Sequence, residues 1–223
     1  MAIDVETKDC SAVTEQELEE MTLVGGDEGA IVHTVEALAE ELSKWVLVTL
    51  VRDGTRLHAF STCTLERVGG TPAVLMGVGA VRRTSKRNSA IKAMVGDQMR
   101  RAVLAFPDED VLVGARVGGS GGVEAFATFP NFVPRPGHSA SGEDRAWGAR
   151  LFKRFSPEGE YAKREFRISG SGSPAVIVDH EPLDPSKVDA DVAAMFEGVD
   201  SSKGDAIIMF SWAMAEYLEK LLP

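Results

Sequence analysis

The stretch Thr71–Phe106 constrains this chain more than any other. It reads TPAVLMGVGAVRRTSKRNSAIKAMVGDQMRRAVLAF. Ala73–Val81 is an apolar run dense enough to predict a buried strand. Arg82–Asn88 is polar and basic. From Ser89 the period changes. Ile91, Met94, Val95, Met99, Ala102, Val103 and Phe106 recur at spacings of three and four, which makes one apolar stripe of a helix. Asn88 or Ser89 is the expected N-cap. A strand that feeds a basic loop into a helix start collects open backbone N–H groups and the positive end of the helix dipole, a combination that holds anions. Between positions 82 and 101, Arg82, Arg83, Lys86, Arg87, Lys92, Arg100 and Arg101 stand against Asp97 alone, in a chain of net charge −10.

The remaining charge is uneven. Residues 1–43 carry twelve acids against Lys8, net −11, so the rest of the chain sums to +1. Two accounts of the basic cluster follow: it holds an anionic ligand, or it balances the acidic segment. An acidic surface repels nucleic acid, and no basic patch is interleaved with aromatics. The acidic segment itself reads as a solvated helix face. The chain has 223 residues, room for one large domain or two small ones with a real core. Cys10 and Cys63 are too few for a disulfide framework or a zinc site, which points to a reduced, cytoplasmic setting. No signal peptide is visible, and the longest apolar stretches, Trp45–Val51 and Ala73–Val81, are too short to span a membrane.

Along the chain, Thr14 and Glu17 have capping-box spacing at the head of a helix over Thr14–Met21. Ile31–Lys44 carries a second helical stripe. Trp45–Arg52 and Arg56–Arg67 read as strands joined at Asp53-Gly54, and Gly69-Gly70-Thr71-Pro72 turns into the strand Ala73–Val81. Val111–Val117 is the next strand, parallel to Ala73–Val81 if the two share a sheet, because a helix connects them. Gly118–Gly122 reads as a flexible loop without a nucleotide-binding pattern, and Val123–Phe129 as a short helix. Beyond it, Glu143–Phe155 and Val188–Phe196 are expected helices. Arg164–Ile168 and Ala175–Val178 are expected strands. Ala206–Trp212 is an apolar run that leads into the helical pattern Ala213–Leu222.

Helices, a three-strand meander, strand, basic loop, helix, strand and a short helix: over Glu15–Phe132 this order resembles the GNAT-type N-acyltransferase family. The resemblance implies an α/β (α+β) fold with a mixed, mostly antiparallel central sheet flanked by helices. It divides the chain into a core at 1–139 and a C-terminal extension at 140–223 that packs on or completes the same domain. In that family the loop after the fourth strand holds the pyrophosphate of acetyl-CoA through a motif of form [QR]-x-x-G-x-[GA]. The motif falls here on Lys86, Arg87, Asn88, Ser89, Ala90 and Ile91. Lys86 replaces Gln or Arg, Ser89 the first glycine and Ile91 the second small residue. The resemblance also implies that the backbone of Gly79, Ala80 and Val81 pairs with the pantetheine arm. Gly77 and Gly79 either permit that close approach or only relieve packing. The tyrosine acid frequent in the family is absent; the short helix offers Phe126 and Phe129 instead.

The implied activity is transfer of an acetyl or other acyl group from CoA to an amine on a small molecule or peptide. The alternative is a non-catalytic GNAT-like module that binds a ligand or a protein. Glu66, His58 and His180 are the candidate proton carriers. His58 and Glu66 each also read as ordinary strand residues, and Asp179-His180-Glu181 as a pair of acids flanking a histidine by chance. His33 and His138 complete the histidines, and no two of the four have metal-ligand spacing. No Gly-x-Ser-x-Gly elbow occurs. Arg135, between two prolines, could contact an anion or an acid of the N-terminal segment. The C-terminal third either caps the acceptor cleft or pairs with a second subunit in a homodimer.

Overall fold

The computed structural model describes residues 3–24, 34–129, 131–155, 158–170, 178–179 and 184–221. Short turns set its first half. β2 (Leu47–Asp53) and β3 (Arg56–Val68) meet in a two-residue loop, Gly54-Thr55, closed by the pair Asp53 and Arg56. Gly54 has φ +62°, and glycine reaches this region without a Cβ clash. β3 and β4 (Thr71–Val81) meet the same way across Gly69-Gly70, both at positive φ. The three strands pair antiparallel, as the turn signals predict.

A strand precedes this meander that the sequence reading merged with the acidic segment. β1 (Ile3–Asp9) pairs antiparallel with β2 over its full length. Ile3, Val5 and Thr7 alternate with Asp4, Glu6 and Lys8. Asp4, Glu6 and Asp9 of the acidic segment lie on this edge strand, where charge guards against pairing with another chain, while Glu15, Glu19, Glu36 and Glu40 are exposed on the helices that follow, as a solvated helix face requires. α1 (Glu15–Thr22) follows, with both halves of the Thr14–Glu17 capping box formed. α2 (Val35–Leu42) starts at the Thr34 cap. Met21, Leu38 and Leu42 of these helices cluster with Val48, Leu50, Leu57, Phe60 and Val78 of the sheet.

The long helix, α3 (Arg87–Ala105), joins the larger core cluster. Every member of its predicted stripe is buried except Phe106, which is half-buried. Gln98 lies in the same buried face. The helix starts earlier than expected. Lys86 occupies the N-cap with no side-chain cap, because a turn from Thr84 carries the chain straight in (Arg87 N–H to Thr84 O, 3.0 Å).

β5 (Val111–Val117) pairs parallel with β4, as the crossover predicts. The segment read as loop and short helix is one 3-10 turn, Ser120–Phe126; Gly121 and Gly122 are poor α-helix formers. α4 (Gly142–Phe155) matches its predicted span closely. The predicted strand at Arg164–Ile168 is instead a short hairpin, β6 (Glu160–Ala162) and β7 (Arg167–Ser169). Phe166, at φ +56°, belongs to its turn. Of the strand expected at Ala175–Val178, β8 (Val178–Asp179) is the described part; 175–177 lie outside the described residues. α5 (Ala190–Met195), β9 (Ala206–Ala213) and α6 (Ala215–Leu218) complete the chain. β9 runs antiparallel to β5, and β7 antiparallel to β9. Among the described residues the sheet thus runs β1-β2-β3-β4-β8-β5-β9-β7-β6, and strands from beyond residue 140 lie on both sides of β5.

Candidate functional site

Among the described residues, the sheet opens between β4 and β5. β4 and β5 pair only from Ala73 with Leu112 to Met76 with Ala115. Beyond Met76 the two strands part, although β4 runs on through Gly77–Val81 and β5 to Val117. β8 lies in the gap. Val178 pairs with Gly79 on one side and Val117 on the other, and Asp179 pairs with Ala80. The backbone of Gly79 and Ala80, which the family resemblance assigns to a pantetheine arm, faces a segment of this same chain. Val81 lies opposite Ala59 of β3.

The glycines of β4 have a packing role. A Cβ on Gly77 would fall 2.2 Å from Cε2 of Trp45 and 2.4 Å from Oγ1 of Thr62. On Gly79 it would fall 3.0 Å from the carbonyl oxygen of Phe60. Both contacts are with neighbouring parts of the fold, and Gly77 in particular is the seat of the Trp45 ring.

The basic loop after β4 is fastened to the β2–β3 hairpin. Arg82 donates its backbone N–H to the His58 carbonyl (2.8 Å) and its Nε to the Leu57 carbonyl (2.8 Å). Lys86 Nζ forms an ion pair with Asp53 Oδ2. His58 Nε2 lies 3.9 Å from that same oxygen. The hydrogen bond from Lys86 holds the Asp53 carboxyl below its ordinary range. Burial pushes the His58 imidazole down and outweighs the attraction of Asp53, so the ring is neutral near pH 7. His58 and Lys86, picked from sequence for different roles, thus meet at one carboxylate.

Arg87 is 1% exposed. Its Nε donates to Oε2 of Glu124 at 2.9 Å, and a second nitrogen reaches the Gly121 carbonyl at 3.4 Å. Arg87 therefore ties α3 to the 3-10 turn. Arg100 and Arg101 bond Asp97 on their own helix, and Asp97 accepts from Thr7 of β1. The acids of the first segment pair elsewhere: Glu17 with Lys8, Glu20 with Arg52, Glu41 with Lys44. Arg135 donates to the Phe132 carbonyl (3.0 Å).

Asn88 and Ser89 are exposed on the first turn of α3, where backbone amides have no carbonyl one turn back. Ala90 and Ile91 turn into the core. Asn88 borders a cleft of about 410 Å³ whose walls include Ser120, Val123, Phe132, Lys187 and Val192. The 3-10 turn that forms one wall also touches β8, which sets the cleft beside the occupied gap.

Glu66 is not brought to this mouth. It lies opposite Ala73 at the start of β4, roughly 25 Å of strand from Val81. Both its oxygens accept from Arg154 of α4, at 2.5 and 2.6 Å. His33 and His180 lie outside the described residues. His138 Nε2 sits 3.1 Å from Asp144. Cys10 and Cys63 are buried free thiols, pushed up to about 11 and about 12 by desolvation. Among the described residues no cluster could hold a metal ion, and no helix is long and apolar enough to cross a membrane. Sequence reasoning missed Asp53 and Glu124. Asp53 was visible only as a turn residue, and Glu124 carried no periodic signal at all.

An acyl-CoA can be tried against this mouth. The first-turn backbone amides of Asn88 and Ser89, both exposed residues, with Lys86 beside them, suit a pyrophosphate. The parted ends of β4 and β5 suit an extended arm that bears amides, since an extended two-residue segment already lies there. The group fits the site wherever β8 does not.

No family model matches the chain, and no curated protein does. Among solved structures, it is similar to a Bacillus subtilis acetyltransferase in complex with CoA, at 11% identity and TM-score 0.42, over 96% of this chain and 100% of that one. It is similar to the ribosomal-protein-S18-alanine N-acetyltransferase from Escherichia coli at 8% identity and TM-score 0.42, over 95% of each chain. An aminoglycoside acetyltransferase from an uncultured soil metagenomic sample, in complex with sisomicin, matches 50% of this chain and 76% of its own at 13% identity and TM-score 0.37. These scores lie below 0.5 and carry no inference about chemistry. The meander, basic loop, crossover helix and parallel strand named from the sequence are present in the chain's own pairings.

Proposed function

We propose that this chain is a GNAT-like, CoA-dependent N-acyltransferase that takes its donor at the mouth between β4 and β5. The observation that carries the reading is the parting of these parallel strands after Met76 and Ala115, with the start of α3 and the cleft alongside. A bound acyl-CoA would supply the thioester acyl group: the C–N bond to the acceptor amine forms as the C–S bond breaks, and coenzyme A leaves as its thiol with the proton the amine gives up. The chain's own residues do the rest. Lys86 and the amides of Asn88 and Ser89 hold phosphate oxygens. The backbone of Gly79 and Ala80 aligns the arm. His58 is kept neutral by burial beside the end of β4, so it can take a proton released from the amine, directly or through water. Arg87 keeps the α3 start rigid against Glu124 rather than touching phosphate.

Calorimetric titration of coenzyme A into the full chain tests this reading. Saturable binding that Lys86→Glu weakens by about tenfold, the worth of one charge-assisted contact, supports it. Absence of binding at millimolar coenzyme A, both to the wild type and to a variant whose segment 178–179 cannot pair with β4 and β5, overturns it.

A second reading, the non-catalytic module, is favoured by the commitment of Gly79 and Ala80 to β8 and of Arg87 to Glu124. Under that reading the gap is permanently filled, and the cleft beside Asn88 takes a different ligand.

A further inference from the structure

From the double pairing of Val178, we infer that β8 is a resident competitor: a piece of this chain that fills the donor's slot and must leave before an acyl-CoA arm can enter. The inference rests on the acyltransferase reading. Val178 pairs with Gly79 of β4 and Val117 of β5 at once, so the segment is seated inside the sheet rather than laid over it. It is extended and parallel to both neighbours, and presents peptide amides to the strand edges on either side. A pantetheine arm is likewise an extended chain with two amides, so both need the same donors and acceptors on Gly79 and Ala80. They cannot bind together.

The slot's energetics suit exchange. The described part of β8 is Val178–Asp179, and its pairings there are with Gly79 and Ala80 of β4 and Val117 of β5. Without an occupant, the inner edges of β4 and β5 would leave backbone groups unpaired, which is unfavourable. The slot is therefore stable when filled by either occupant. β8 also touches the 3-10 turn Ser120–Phe126 that lines the neighbouring cleft. An occupant of that cleft is thereby placed to sense whether the segment is in or out. Donor affinity is set by the exchange: the apparent dissociation constant is the intrinsic one divided by the fraction of molecules in which β8 has left the slot.

Hydrogen exchange on the full wild-type chain, with and without saturating coenzyme A, tests the inference directly. Peptides covering 178–179 are expected to lose protection when coenzyme A binds, while those covering 79–80 keep it, because one partner replaces another. The double variant Val178→Pro/Asp179→Pro, which removes both amide donors of the segment, is expected to bind coenzyme A at least tenfold more tightly. If calorimetry shows coenzyme A binding while 178–179 stay protected, the inference fails and the acyltransferase reading stands. If neither wild type nor double variant binds coenzyme A, both fall. If only the double variant binds, the competitor is confirmed as the barrier. Should the double variant not fold, the exchange measurement on wild type decides alone.

Discussion

Replacing Glu124 with glutamine tests whether Arg87 is part of the scaffold or of the ligand site. Arg87 has 1% of its surface exposed, and its Nε lies 2.9 Å from the Glu124 carboxylate. Removing one member of a fully buried ion pair costs about 3–5 kcal/mol, because the other charge stays behind without compensation. Glu124 is only partly enclosed, with 36% of its side chain exposed, so water already screens the pair. The Gly121 carbonyl at 3.4 Å continues to accept from the guanidinium. These two facts pull the expected cost down to about 1–3 kcal/mol, between the buried and surface limits. With a urea slope of about 2 kcal/mol/M, the unfolding midpoint falls by roughly 0.5–1.5 M. The companion variant Arg87→Met should cost less in the Glu124→Gln background than in wild type, and the difference measures the coupling. An effect of Glu124→Gln below about 0.5 kcal/mol, within the range of ordinary surface changes, would refute the scaffold assignment. So would a loss of coenzyme A affinity in Arg87→Met without any change in stability.

Met99 is 1% exposed on the sheet-facing stripe of α3, so Met99→Ala should cost about 2–5 kcal/mol in chemical denaturation, and a near-neutral result would mean the face is wrong. Gln98 is fully buried with neither amide atom hydrogen-bonded; Gln98→Met, which removes the polar atoms and keeps much of the volume, should hold or raise the melting temperature. Gly54→Val should destabilise well beyond a surface change, since a β-branched residue resists φ +62°, and equal stability would argue against the tight turn. Burial raises the Asp144 carboxyl, but the amide and hydroxyl of Ser141 and the ring of His138 prevail and hold it below its ordinary 3.8. Its contribution is present above that value and lost as pH falls through the lower folded one, so Asp144→Asn should flatten the stability profile on the acid side only. Cys10 and Cys63, with thiols near 11 and 12, should resist a thiol reagent at pH 8 in the native chain and react at once in denaturant.

How much of the fold was legible depended on how local its cause was. The Thr14–Glu17 capping box, the glycine turns at 54 and 69–70, the stripe of α3 and the strand Val111–Val117 each rest on residues within a few positions of one another. β1 was legible in principle, because Ile3, Val5 and Thr7 alternate with charges. Its acidity masks that period, and its pairing with β2 reveals it. The 3-10 turn at Ser120–Phe126 and the β6–β7 hairpin were misjudged because glycines and short runs give little periodicity to read.

The candidate site divides along the same line. The sequence alone determined that a basic loop joins a strand to a helix start, because strand, loop and amphipathic stripe are each written in consecutive residues. It also placed Lys86 and Arg87 in that basic loop and His58 on a strand as a candidate proton carrier. Which carboxylates those groups meet was decided only by the tertiary structure. Asp53 is 33 positions from Lys86, and Glu124 is 37 from Arg87. No periodicity links such distant residues; only the return of the chain does. The same holds for β8. A strand over Ala175–Val178 was expected from the sequence, but its place was not: Val178 joins the sheet because β4 and β5, about 100 and 60 positions earlier, part and leave backbone groups that need partners.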